Sequence, residues 1–290
     1  WLYAGDRFTQ QYASHILGQE NFMLLNCDLG ESFGSWTMGQ DAKAMAHIDQ
    51  ANIACGFHAG DPVVMQRTLA LAKQHQVMVG AHPAYPDLVG FGRRSMHCSS
   101  QEITAFMHYQ IAALEGMAAC QGLRLSYVKP HGALYNDMMS KDSVRQAIMQ
   151  AVSSYPVRAM DNGSANSPLK LMLQANASAD EHLQQAQDMK LELYFEAFAD
   201  RCYEDDGSLM ARSKTGAVLD HDAMLKQVQQ LVQYGTITSA SGSTLHLKVD
   251  SLCVHGDNDT GIAAIKSIRQ LMEKPSAVAT SAASRAVTEP

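Results

Sequence analysis

The stretch ANIACGFHAGDPVVMQRTLALAKQHQVMVGAHPAYPD, residues 51–87, decides the fold. Its two ends, 51–61 and 77–87, each begin with a short apolar run and finish in a polar cluster that contains Gly or Pro. Between them, the apolar residues of 62–76 recur every three or four positions, as on an amphipathic helix. A strand, a helix and a second strand in this order predict a parallel pair, because parallel neighbours need a crossover connection.

The same unit recurs on both sides of this stretch. Seven apolar runs end in polar clusters, and they lie at 23–31, 51–61, 77–87, 125–135, 169–178, 193–201 and 250–257. Helical periodicity is found at 62–76, 99–122, 141–155 and 220–235, with Ser99 or Ser100 as N-cap of the second helix. Seven strands that alternate with helices suit a closed, irregular β/α barrel or an open doubly wound sheet.

Length and composition predict one globular domain. The chain has 290 residues, of which 46% are hydrophobic and 18% charged, and barrels of this length form a single domain. We predict the barrel over 23–274. Residues 1–22 form an N-terminal extension without an assigned partner unit, and 275–290 are rich in small residues, which predicts a disordered tail.

Charge and hydrophobicity exclude several classes of partner. A net charge of −7 argues against nucleic acid, and the sequence contains no apolar run long enough for a membrane span. Residues 1–22 carry Asp, Arg and Gln where a signal peptide needs an apolar core. The six cysteines form no C-x-x-C pair, which predicts reduced thiols. We therefore expect a cytoplasmic protein with no nucleic-acid or membrane partner.

Polar side chains at the strand ends predict one pocket. Side chains two apart on a strand share a face, so Asn26 lies with Asp28, opposite Cys27, and Lys129 lies with His131. In both candidate architectures the chemistry collects at the carboxyl ends of the strands. If these faces point into a barrel mouth, the pocket receives Asp28, His58, His82, Lys129, His131, Asp200, His255 and Asp257.

These residue types predict acid–base chemistry and leave metal binding open. One Asp with two His is a common ligand set for zinc, yet H-x-H and H-E-x-x-H motifs are absent. Arg93, which follows Phe91 and Gly92, is a candidate clamp for a carboxylate. The sequence contains no G-x-x-x-x-G-K-[ST] motif and therefore no recognisable loop for the phosphates of ATP.

Six segments carry a resemblance to a known family. They are NCDLGESFGSWTMGQD (26–41), ANIACGFHAGDP (51–62), VGAHPAYPDLVGFGRR (79–94), VKPHGALYN (128–136), FEAFADRCYEDDGSLMARSKTGAV (195–218) and CVHGD (253–257). In this order they resemble the signature segments of the LamB/YcsF family, the A subunits of 5-oxoprolinase, over about 23–272. The resemblance implies an irregular seven-stranded β/α barrel of the glycoside hydrolase/deacetylase type. It also implies ATP-dependent opening of 5-oxo-L-proline to L-glutamate together with two partner subunits.

The roles of the site residues follow from their positions and types together with this resemblance. Lactam opening needs an activated water, stabilisation of an oxyanion and a proton for the leaving nitrogen. We expect Asp28 as the base, oriented with His58, while Lys129 and His131 stabilise negative charge or a phosphate. Asp200 and His255 then handle a second proton transfer. The expected substrate-binding residues are Asn26, His82, Arg93, Arg201 and Asp257.

Two other functions fit the same residues. The first is a stand-alone, metal-dependent carbohydrate or amide deacetylase, which would need stoichiometric metal and no ATP. The second is a binding subunit that captures the substrate for its partners without chemistry of its own. Under the main interpretation the complex uses ATP, and a divalent metal remains an open possibility.

Overall fold

A computed structural model describes residues 23–156, 168–255 and 259–273. The strands are β1 (Leu24–Leu29), β2 (Gln50–Ala54), β3 (Met78–His82), β4 (Leu125–Val128), β5 (Lys170–Gln174), β6 (Leu193–Phe198), β7 (Thr236–Thr238), β8 (Thr244–His246) and β9 (Ser251–Cys253). Seven of them close into a parallel barrel in the order β1-β2-β3-β4-β5-β6-β9. The predicted barrel is confirmed, and the open sheet is wrong because β9 pairs with both β1 and β6.

Helices connect the barrel strands on the outside. They are α1 (Asp41–Met45), α2 (Pro62–His75), α3 (Ser100–Ala119), α4 (Gly132–Ser140), α5 (Asp142–Ser153), α6 (Ala179–Asp188), α7 (His221–Tyr234) and α8 (Asp259–Met272). The four predicted helices correspond to α2, α3, α5 and α7. Ser99 is the N-cap of α3: its Oγ accepts from the backbone N–H of Glu102 at 3.2 Å, and the Glu102 carboxylate accepts from that of Ser99 at 2.8 Å.

The main hydrophobic core lies between the barrel and its helices. On β1, Leu25, Cys27 and Leu29 are buried in this core, and the α3 residues Ile111 and Leu114 belong to the same cluster. The side chains that alternate with them point into the barrel. Strand alternation therefore separates an apolar outer face from a polar inner one.

The barrel interior is a hydrogen-bonded polar column. The Asn26 side chain donates to Ser251 Oγ at 2.7 Å, and Ser251 Oγ donates to Gln50 Oε1 at 2.6 Å. Asn52 donates to Asn26 Oδ1 at 2.8 Å and accepts from the Tyr127 hydroxyl at 2.7 Å. All five side chains are fully buried. This column forms the floor on which the site is built.

Sequence periodicity missed two features of the connections. β7 and β8 form a short antiparallel hairpin outside the barrel, between β6 and β9. The predicted run 125–135 is a strand only as far as Val128, and α4 begins at Gly132.

None of the described helices has the length and apolar character that crossing a membrane would demand. The extension predicted at 1–22 and the tail predicted at 275–290 lie outside the described residues.

Candidate active site

Five candidate side chains gather at the carboxyl ends of the first four strands: Asp28, His58, His82, Lys129 and His131. Backbone bonds continue the β3–β4 pairing past the end of β4. The N–H of Lys129 donates to the Ala81 carbonyl at 2.9 Å, and that of His131 donates to the Pro83 carbonyl at 2.8 Å. The loop that follows β4 is therefore held in strand-like register, which fixes both side chains over the barrel mouth.

Lys129 is a buried cation between two carboxylates. Its Nζ lies 3.0 Å from Asp28 Oδ1 and 3.0 Å from Glu196 Oε2, and it also contacts Asn26 Oδ1 at 3.3 Å. Burial alone would lower the pKa of Lys129, but Asp28, Cys253 and Glu196 outweigh it and raise the pKa well above the usual value. The ammonium therefore stays charged and joins the polar column to the site.

Asp28 connects this cation to the histidines. Its Oδ1 accepts from Asn52 at 2.8 Å as well as from Lys129, and its Oδ2 lies 3.3 Å from His82 Nε2. Burial tends to raise the pKa of Asp28, but His82 and Lys129 hold it well below its ordinary value. Asp28 is an ionised carboxylate whose histidine contact is His82, while the His58 ring that we expected beside it contacts Glu31 instead.

Three histidines and one glutamate form the second half of the site, which we call the His cluster: Glu31, His58, His82 and His131. One ligand atom from each lies within 4.8 Å of all the others. The rings of His58 and His131 stack at 3.8 Å between centroids, and His58 Nε2 lies 3.2 Å from Glu31 Oε1. Burial lowers the pKa of both stacked histidines and raises that of Glu31.

The hydrogen bonds around His82 and His131 leave two ring nitrogens facing each other. His82 Nδ1 lies 2.7 Å from the Lys129 carbonyl, and His131 Nε2 lies 3.0 Å from the Phe91 carbonyl. A carbonyl accepts only, so each of these two nitrogens carries a proton. His82 Nε2 and His131 Nδ1 lie 3.0 Å apart, with Asp28 Oδ2 3.3 Å from the first and Glu31 Oε1 3.5 Å from the second, so four acceptor atoms converge at this point. The pair is stable only with an additional proton or a cation beside it.

A second dyad lies across the mouth, where β6 and β9 end. His255 Nδ1 contacts Asp200 Oδ2 at 2.9 Å, and the other carboxylate oxygen of Asp200 is buried. Burial would lower the pKa of His255, but the hydrogen bond and charge of Asp200 raise it above its usual value. β9 pairs with both β1 and β6, so the dyad lies at strand ends next to that of Asp28. The dyad is suited to donating a proton.

Two predicted binding residues, Arg93 and Arg201, stand apart from this pocket floor. Arg93 is exposed, with its guanidinium carbon 5.2 Å from the centre of the Phe91 ring, which in turn contacts His58 and His131. Arg201 is buried, and its Nε and Nη2 donate to the backbone carbonyls of Ala217 and Met210. Asp257 lies outside the described residues.

Two acidic residues of the site were not predicted from the sequence. Glu31 follows Gly30, which has a φ of +71° just after the end of β1. Glu196 lies inside β6 and is fully buried. It shares a strand face with Phe198 and Asp200, and a charged residue within an apolar strand is a signal for a buried ion pair. That signal was present in the run LYFEAFADR.

A known protein family matches the chain over all of its described elements. The family model described as "LamB/YcsF family" covers residues 23–286. The chain belongs to the LamB/YcsF family. The resemblance drawn from the six sequence segments is therefore confirmed.

Relatives of this LamB/YcsF chain are similar over nearly their whole length. It is 51% identical over 255 residues to the 5-oxoprolinase A subunit 2 of Pseudomonas putida, covering 87% of this chain and 94% of the relative. It is 50% identical over 249 residues to the 5-oxoprolinase A subunit of Vibrio parahaemolyticus, covering 86% and 94%. The crystal structure of the lactam utilization protein from Thermus thermophilus is 34% identical, with a TM-score of 0.76 over 87% of this chain and 96% of that one.

Proposed function

We propose that this protein is the A subunit of an ATP-dependent 5-oxoprolinase, which opens 5-oxo-L-proline to L-glutamate with two partner subunits. The observation that carries the proposal is the identity of about one residue in two with proteins named as A subunits of 5-oxoprolinase. A pocket of acids, histidines and one buried lysine at the barrel mouth supports it, because lactam opening needs acid–base groups and a charge stabiliser. The proposed location is the cytoplasm.

The two halves of the pocket supply different parts of this reaction. Lys129 keeps a fixed positive charge at the floor, where it stabilises an oxyanion on the lactam carbon or a phosphate on the lactam oxygen. Asp28 accepts the proton of the attacking water with one carboxylate oxygen beside His82 and the other held by Lys129 and Asn52. His255, held by Asp200, donates the second proton to the leaving nitrogen. The sequence has no P-loop, so we assign the ATP step to the assembled complex.

We further propose that the His cluster holds a divalent cation. The facing nitrogens His82 Nε2 and His131 Nδ1 fit this group, because each ring donates its other N–H to a backbone carbonyl, as metal-bound histidines do. Glu31 and His58 complete a donor set typical of zinc and related ions. Such an ion would polarise a carbonyl oxygen or lower the pKa of a bound water.

Metal content of the purified chain tests this second proposal. We expect about one equivalent of divalent metal per chain by plasma mass spectrometry, and its loss in His131→Ala. A matched control is His108→Ala, because His108 lies on α3, outside the cluster, where its Nε2 contacts the Ala151 carbonyl. Metal-free wild-type protein with a sharp proton resonance shared by His82 and His131 would show that a proton occupies the pair instead.

The activity test is L-glutamate release from 5-oxo-L-proline with ATP, first with this chain alone and then with its partner subunits. We expect turnover only in the mixture, and its loss in Asp28→Asn without loss of the folded state by circular dichroism. Deacetylation by the chain alone, sensitive to a chelator and independent of ATP, would favour the deacetylase instead. An Asp28→Asn protein that lost substrate affinity while the mixture kept its turnover would favour a binding subunit.

A further inference from the structure

Asp41 is a carboxylate whose hydrogen bonds connect segments outside its own helix. It is the first residue of α1, yet within the described part of the chain its side chain accepts from two other segments only. The backbone N–H of Gly30 donates to Asp41 Oδ2 at 2.9 Å, and Thr68 Oγ1, on α2, donates to the same oxygen at 3.1 Å. Asp41 therefore ties the end of β1 to α2.

Gly30 is the backbone joint between β1 and Glu31. The strand ends at Leu29, and Gly30 has a φ of +71°. A Cβ at Gly30 would lie 3.2 Å from Thr68 Oγ1 and 3.3 Å from Ile53 Cγ2. Because it has no side chain, Gly30 can leave the strand in this conformation while packing closely against α2. The hydrogen bond to Asp41 then fixes the orientation of the peptide group that precedes Glu31.

Glu31 is held on its other side as well. The Ser32 carbonyl accepts from the N–H of Gly60 at 3.0 Å, and Gly60 lies two residues after His58 in the same loop. Between these two anchors, Glu31 Oε1 lies 3.2 Å from His58 Nε2 and 3.5 Å from His131 Nδ1. The place of this carboxylate in the His cluster therefore depends on two backbone hydrogen bonds, and Asp41 supplies the acceptor of the first.

We propose that Asp41 is a positioning residue of the site, which holds Gly30 so that the Glu31 carboxylate reaches the His cluster. This inference rests on the proposed function, in which the His cluster holds a cation. Without the Asp41 carboxylate, the Gly30 N–H and the Thr68 hydroxyl lose their acceptor, and the joint before Glu31 is no longer fixed.

A double-mutant cycle in the complete complex tests this role. The value of kcat/KM for 5-oxo-L-proline is measured for wild type, Asp41→Ala, Glu31→Ala and the double variant. We expect Asp41→Ala to lower kcat/KM of the wild type about tenfold or more, because a small displacement of a site residue is costly. In the Glu31→Ala chain it should lower kcat/KM less than about threefold, because the group that it positions is already missing. A purely structural role would lower both by the same factor.

Two further variants complete the cycle. Asp61→Ala is the matched control, because the Asp61 carboxylate accepts from the N–H of Gly34 in the same loop at 2.7 Å and also caps α2. We expect it to change kcat/KM less than about threefold, by the same factor with and without Glu31. Asp41→Asn should keep kcat/KM within about threefold of the wild type, because its amide oxygen still accepts from Gly30.

The cation affinity of the purified chain gives a second readout, which needs no turnover. The probe is Zn²⁺, titrated in competition with a fluorescent chelator. We expect Asp41→Ala to raise the Kd about tenfold or more, because loss of the group that orients a metal ligand weakens metal binding. The same titration of Asp41→Asn and Asp61→Ala should give a Kd within about threefold of the wild type.

The outcomes separate this inference from the function on which it rests. An active wild-type complex in which Asp41→Ala lowers kcat/KM equally with and without Glu31 overturns the positioning role alone. A folded Asp41→Ala chain that binds Zn²⁺ as tightly as the wild type does the same. If Asp41→Ala does not fold, the cycle is run with Thr68→Val, which removes the second donor to Asp41, and equal factors overturn the role there too. A wild type with neither turnover nor Zn²⁺ binding overturns the proposed function and this inference together.

Discussion

Lys129 shows what a single buried charge requires of its neighbours. Its ammonium lies 3.0 Å from each of two carboxylates. Lys129 is 3% exposed, so water screens its positive charge very little. Removing one member of such a group leaves the others buried and unpaired, which is far more costly than the group is stabilising. Lys129 therefore couples the charge of Asp28 in the site to that of Glu196 in the barrel floor.

The substitution Lys129→Met tests this dependence. We expect the free energy of unfolding to fall by about 3–5 kcal/mol, because Asp28 and Glu196 are left without their cation. Adding Glu196→Gln should recover part of the loss, since only one carboxylate then remains. Urea unfolding measures the free energy of unfolding of the single and the double variant. Lys170→Met is the control, because it removes the surface ion pair with Glu192 and should lower that free energy by about 1 kcal/mol or less. A loss in Lys129→Met no larger than in the control would contradict the argument.

The Asp200–His255 dyad gives the fold a pH dependence with a definite sign. Because the pKa of His255 is raised in the folded state, its protonation stabilises the fold at pH values below 6.5, its ordinary pKa. This contribution is lost as the pH rises through the pKa of the folded state. The lowered pKa of Asp200 stabilises the fold with the opposite dependence on pH. Its contribution is present above 3.8 and is lost as the solution becomes more acid.

In Asp200→Asn we therefore expect a smaller drop in unfolding free energy between about pH 6 and about pH 9 than in the wild type. Without the carboxylate, burial dominates and the pKa of His255 falls. The alkaline limb of the turnover profile should move to lower pH for the same reason. Asp205→Asn is the control, because Asp205 contacts serines and no histidine among the described residues. Equal pH profiles for Asp200→Asn and wild type would rule out the dyad as the source.

At the scale of elements, the loop after β3 shapes the His cluster through a glycine. Gly92 has a φ of +63°, and a Cβ at this position would come within 2.9 Å of both His131 Cδ2 and His58 Cβ. The loop can therefore pass over the stacked rings only if this residue has no side chain. The backbone itself acts as the lid on the two histidines.

Gly92→Ala should therefore reduce turnover at least tenfold by displacing the two rings. Gly122→Ala is a matched control, because Gly122 has a φ of +72° with nothing within 4 Å of its Cβ position. Both variants carry the left-handed backbone cost of about 1–2 kcal/mol, and only Gly92→Ala adds the clash. Thermal unfolding and turnover separate the two effects. Full activity in Gly92→Ala would show that the cluster tolerates displacement.

At the scale of the whole molecule, periodicity and strand ends predicted most of the fold and most of the described pocket side chains, but not Glu31 and Glu196. Strand alternation placed the side chains of Asn26 and Asp28 inside the barrel and that of Cys27 outside. A shift of one residue along the strand would turn every one of these side chains to the opposite face of the sheet. Strand alternation could not predict which side chains contact each other across the barrel mouth. His82 contacts Asp28 and Arg201 contacts carbonyls because loop lengths, which periodicity does not encode, set the distances across the mouth.

The seam between β1 and β9 has a consequence for how the chain is made. Asn26 and Ser251, 225 residues apart, are hydrogen-bonded across it, and the site gains His255 only when β9 is in place. During translation the growing chain therefore carries two unpaired strand edges, on β1 and on β6, until β9 has left the ribosome. Closure of the barrel and completion of the pocket are thus one event that waits for β9, and the nascent chain needs protection from edge-to-edge pairing until then.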